Sequence, residues 1–103
     1  MVSEATTAKT NNYELIVIIR PDLPDDKLEA ALENVKKLIT GKSGVISDVQ
    51  RWGKRRLAYH IKHFGEGVYL LVRFQSRPGA NRDLENSLRI SDDVLRHLLV
   101  KTD

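Results

Sequence analysis

The clearest alternation in the chain runs over residues 68–75, where Val68, Leu70, Val72 and Phe74 stand on one side and Tyr69, Leu71, Arg73 and Gln75 on the other. A period of two predicts a strand with one buried face. Residues 13–20 (Y-E-L-I-V-I-I-R) are instead apolar at nearly every step and rich in β-branched side chains. That pattern predicts a strand central in a sheet or covered on both faces, ended by Pro21. Beyond Pro24 the period lengthens. Leu28, Ala31, Leu32, Val35, Leu38 and Ile39 recur at spacings of three and four, with Asp25, Asp26 and Glu29 at the start. This is the pattern of an amphipathic helix of about four turns, with acids where the helix dipole favours them. G-K-S-G at 41–44 supplies its stop.

Residues 45–52 and 56–62 both read as strand, and Gly53 between them predicts a bulge in one long, kinked strand. F-G-E-G at 64–67 separates that strand from the alternating one, so a β-hairpin is expected there. S-R-P-G at 76–79 leads into a second helix over 81–89, with Leu84 and Leu88 on one face. Asp92 and Asp93 then turn the chain into a last strand over 94–101. The order strand, helix, strand, strand, helix, strand predicts an α+β fold of the ferredoxin-like, split βαβ kind: a four-stranded antiparallel sheet with two helices on one face. The other face and the strand edges are left for a partner. With 103 residues the chain can build one core. The expected division is a flexible polar tail over 1–12 and a single domain over 13–101.

Composition narrows the classes. A chain 41% hydrophobic and 30% charged is neither disordered nor membrane-spanning, and its longest apolar runs are too short for a bilayer helix. Absence of cysteine excludes disulfides, thiol nucleophiles and thiolate metal sites. The net charge of +3 matters because it is clustered. Over 21–34 five acids face Lys27 alone, whereas over 51–63 (R-W-G-K-R-R-L-A-Y-H-I-K-H) five Lys or Arg run with no carboxylate. Cations beside aromatic rings suit an RNA backbone and its bases.

Within that stretch Lys54, Arg55 and Arg56 flank the expected bulge, where a guanidinium can project and donate two parallel hydrogen bonds to a phosphate. The structural alternative is a solvated edge whose cations keep sheets from pairing. Arg89, Arg96 and Lys101 are further candidates, with Arg96 and Lys101 expected on the sheet face away from the helices. Tyr69, opposite the apolar face, is placed to stack on a base; Trp52 and Tyr59 are expected to pack within the sheet. His60, His63 and His97 show no metal-ligand spacing, and neither metal nor cofactor is expected.

Inside this element order, residues 52–61 fit the pattern W-G-x-R-x-L-A-Y-x-I, with Tyr13–Glu14 on the first strand, Gly44 before the second, and Gly67 and Tyr69 at the hairpin exit. L-R-I at 88–90 precedes Asp92 and Val94. On these residues the chain resembles the bacterial-type small-subunit ribosomal protein S-six family, bacterial or plastid, from Tyr13 to Lys101. The resemblance implies a structural constituent of the small ribosomal subunit that binds small-subunit ribosomal RNA together with ribosomal protein S-eighteen, in the cytoplasm or a plastid stroma. It departs from the family at the N-terminus, where Lys9 is followed by neutral Thr10, Asn11 and Asn12, and at Ser91, where some members are basic.

Three other readings share the fold. An acylphosphatase-like enzyme needs a nucleophile, base and orienting partner that the sequence does not assemble, and G-K-S at 41–43 lacks the full phosphate-loop spacing. An RNA recognition motif needs two aromatic-bearing central strands, which G-V-Y-L-L-V-R-F at 67–74 only partly echoes. A small-molecule regulatory module, usually dimeric, leaves the basic hairpin unexplained. The expected molecule is no enzyme, and is a monomer when free.

Overall fold

Strand β1, Asn11–Ile19, has neighbours on both edges, which is why its sequence is apolar at almost every step. The computed structural model describes residues 10–42, 44–77 and 79–102. After β1 come helix α1 (Asp25–Gly41), strand β2 (Val45–Ile61), strand β3 (Phe64–Ser76), helix α2 (Ala80–Ile90) and strand β4 (Val94–Lys101). The strands form one four-stranded sheet in the order β2-β3-β1-β4, with every neighbouring pair antiparallel. This is the expected ferredoxin-like arrangement. Most of the expected tail, residues 1–9, lies outside the described residues. Asn11 and Asn12, also assigned to it, instead extend β1 by pairing with Ser76 and Gln75.

The odd positions of β1 and the even positions of β3 face the helices. Tyr13, Leu15, Val17 and Ile19 join Val68, Leu70, Val72 and Phe74 in one buried cluster with Ala31, Leu32, Val35 and Ile39 of α1 and Leu84 and Leu88 of α2. Leu15, Val17, Ile19, Leu70 and Val72 are wholly buried, so truncating any of them to Ala leaves a cavity costing about 2–5 kcal/mol. Helix α1 begins after Pro24 with Asp25 and Asp26 in its first turn. It ends where the Gly44 N–H returns to the Ile39 carbonyl at 3.0 Å.

The connection between β2 and β3 differs from the sequence expectation. F-G-E-G is not the loop: Phe64 pairs with Ile61, so only Lys62 and His63 lie between the strands. Both have positive φ, 49° and 73°, the signature of the two-residue turn whose twist matches paired strands. Such turns prefer Asn-Gly, and the Lys-His sequence conceals this one. Gly65 and Gly67 belong to β3. At Gly67 a Cβ would stand 2.3 Å from Ile18 Cγ2, so only a glycine lets β3 pass that close.

Candidate nucleic-acid interface

Pairing between β1 and β3 ends at Ile19 and Val68, but the β2–β3 ladder continues through Lys54–Val68, Arg55–Gly67 and Arg56–Glu66 to Ile61–Phe64. The cationic segment therefore stands on a hairpin that outruns the sheet. Between Arg56 and Ile61 the register shifts, and the slack in β2 lets the strand fold back over the sheet's open face. Leu57 packs there with Ile18 and Leu95, flanked by half-buried Ile61, Phe64 and Tyr69. This second cluster covers the other side of β1 and fixes the hairpin. Arg96 Nη1 of β4 donates to the Tyr59 hydroxyl at 2.8 Å, adding a polar tie to the opposite edge strand.

The predicted bulge is present at Gly53, where φ is 79° and the register shifts after Arg51. It divides the cations by their partners. Arg51, before it, is ion-paired with Glu29 of α1. Lys54, Arg55 and Arg56, after it, are exposed and have no ion-pair partner among the described residues. On the open face nearer the other end of the sheet, Arg73 is bonded to Glu14 at 2.8 Å and lies 3.7 Å from Asp48, so its charge is offset. Three cations without an ion-pair partner among the described residues thus stand together on the hairpin, whose stretch 51–67 holds Glu66, opposite Arg56, as its carboxylate, and a polyanion is attracted to such a cluster.

Tyr69 lies on the open face as expected, but its ring is stacked on Trp52, with centroids 6.2 Å apart. Trp52 and Tyr59, expected to be packed within the sheet, are 38% and 63% exposed. Tyr69 and Arg96 line one groove of about 320 Å3, together with Ile16, Ile18, Leu57 and Tyr59. Arg89 at the end of α2 and Arg96 line a second, of about 290 Å3, which also takes in Lys62. Lys62 was missed as a companion of Arg89 and Arg96 because its proximity depends on the unsignalled turn. Lys101 is a correction: it pairs with core residue Tyr13, so the pleat puts it on the helix side and at the far end of the sheet from Lys54. Arg96 and Lys101 are five residues apart, an odd spacing that cannot share a face in a regular strand.

Among the described residues there is no group of three His, Cys, Asp or Glu able to hold a metal. None of their helices is long and apolar enough to cross a membrane. The sequence profile of the family described as Ribosomal protein S6 (S-six) matches residues 12–101. The chain belongs to the ribosomal protein S-six family.

Among the family's members, the "Small ribosomal subunit protein bS6" of Dehalococcoides mccartyi is 40% identical over 98% of this chain and 95% of its own length. That of Moorella thermoacetica is 42% identical over 87% of this chain and 92% of its own. The crystal structure of 30S ribosomal protein S6 from Thermotoga maritima superposes with a TM-score of 0.87 at 35% identity, covering 91% of this chain and 89% of that one. The C-terminal domain of the MgtC protein from Mycobacterium tuberculosis reaches 0.61 at 13% identity over the same shares, a likeness of fold alone. S-six proteins are ribosomal proteins, not enzymes, and neither is this chain. The structure splits the W-G-x-R-x-L-A-Y-x-I signature between structural and exposed roles. Gly53 and Leu57 shape and anchor the hairpin, while Lys54, Arg55 and Arg56 face solvent.

Proposed function

We propose that the chain is a structural constituent of the small ribosomal subunit, where it binds ribosomal RNA together with ribosomal protein S-eighteen. The observation that carries this reading is the set of three exposed cations, Lys54, Arg55 and Arg56, without ion-pair partners among the described residues, on an anchored hairpin. The names of its relatives, proteins of the small ribosomal subunit, supply the polyanion. Phosphates meeting these cations position the protein, and RNA shape together with the surface shared with S-eighteen supplies selectivity. Arg96 on β4 and Arg89 at the end of α2 extend the contact. Tyr69 acts through the stack it supports, and Lys101 makes a separate contact at the other end of the sheet. Binding places the protein in the ribosome, by analogy with its bacterial relatives in the cytoplasm.

The test is a filter-binding titration of the central part of small-subunit RNA with the chain alone and with S-eighteen added. Weak binding alone and tight binding together is the expected result. Equal affinity in both arms overturns the joint mechanism, and no binding in either removes the RNA reading.

A further inference from the structure

Trp52 lies in the bulge, between Arg51 paired with Leu70 and Gly53 paired with Tyr69. Its ring plane lies 14° from that of Tyr69, its Nε1–H donates to Gln50 Oε1 at 3.1 Å, and Gln50 Nε2 donates to Asp48 Oδ2 at 3.0 Å. The indole is therefore held both by stacking and at its edge. The Arg55 guanidinium carbon sits over this ring, 5.5 Å from its centroid. In an unbroken strand residues 52 and 55 would point to opposite faces, because side chains alternate with a period of two. The register shift at Gly53, with its φ of 79°, reverses that parity and brings Arg55 onto the face of Trp52. An exposed arginine with no acidic partner otherwise loses rotamer freedom when it binds. Here the indole has already restricted it.

We propose that Trp52 is a positioning residue, which through the Gly53 bulge holds the Arg55 guanidinium ready for a phosphate of the bound RNA. The proposal rests on the RNA-binding reading above. It makes Trp52 matter through Arg55 and not through a contact of its own.

The full chain, with S-eighteen, is titrated with small-subunit RNA as parent, Trp52→Leu, Arg55→Ala and the double variant, and Trp52→Phe is added as the conservative control. Trp52→Leu lowers affinity about two- to fivefold, the worth of an exposed cation–π contact. The same change made in the Arg55→Ala background costs nothing, and Trp52→Phe restores most of the loss. Equal losses in both backgrounds overturn the proposal, since Trp52 would then act independently of Arg55. Failure of the parent to bind RNA instead overturns the function on which the proposal rests. Trp52→Thr, which keeps strand propensity, serves the same cycle if the leucine variant does not fold.

Discussion

Arg96 and Tyr59 lie 37 residues apart in sequence and meet at 2.8 Å, joining the far strand of the sheet to the folded-back part of the hairpin. The bond crosses the open face above the Ile18, Leu57 and Leu95 cluster. Tyr59→Phe removes the acceptor and leaves the ring. Because the site is exposed, the expected loss falls below that of a buried hydrogen bond to a charged group, at about 0.5–1.5 kcal/mol. Amide exchange checks it, with protection falling at residues 57–65 and holding in β1. Uniform loss across the chain would show that the tie is not local.

Gly67 and Gly41 make opposite predictions for the same substitution. Alanine at 67 drives its Cβ to 2.3 Å from Ile18 Cγ2, so Ile18 or β3 must shift, at a cost of about 1–3 kcal/mol. Alanine at 41, in the last turn of α1, meets nothing within 4 Å and stabilises by about 0.5–1 kcal/mol through helix propensity. Urea unfolding midpoints should move in opposite directions. Movement in the same direction would mean that Ile18 yields freely.

The regular elements were legible because burial imposes its period on the sequence. The alternation over 68–75 and the spacing of Leu28, Ala31, Leu32, Val35 and Ile39 each mark a face that packs, and strand β4 matches its expected bounds. The bulge was legible too, since a lone glycine in a strand has few other uses. What failed depended on backbone geometry with no side-chain signature. Lys62 and His63 adopt positive φ without glycine or asparagine, so F-G-E-G drew the turn to the wrong place. Once the turn is moved, Tyr59 reaches Arg96 and Lys62 reaches the Arg89 groove, neither of which the spacing shows. Lys101 was misplaced for a simpler reason, a parity that counting along β4 would have settled.

The turn after β1 predicts an acid-sensitive contribution. Arg20 donates to both oxygens of Asp22, at 2.7 and 3.0 Å, and this hydrogen bonding holds the Asp22 carboxyl below its ordinary value. A lowered carboxyl stabilises the folded state fully above its ordinary value and loses that contribution as the pH falls through the lowered one. The stability gap between parent and Asp22→Asn is therefore expected to be full at neutral pH, to narrow below about pH 4 and to close in stronger acid. Urea midpoints across that range measure it. A gap independent of pH would assign the effect of the substitution to something other than the ion pair.

The division of cations at Gly53 gives the sharpest prediction about function. A cation that neutralises a phosphate releases counterions, and each such contact contributes roughly 0.7–0.9 to the slope of log affinity against log salt. Arg55 and Arg56 have no ion-pair partner among the described residues, so replacing each by Ala should flatten the slope by about that amount. Arg51 is already paired with Glu29, so Arg51→Ala should leave the slope nearly unchanged although it removes the same charge. Stability is the control: both residues after the bulge are exposed and outside the buried clusters, so neither change should move the unfolding midpoint appreciably. If all three variants flatten the slope equally, the protein is responding to net charge alone. In that case the ladder that separates Arg51 from Arg55 carries no functional distinction.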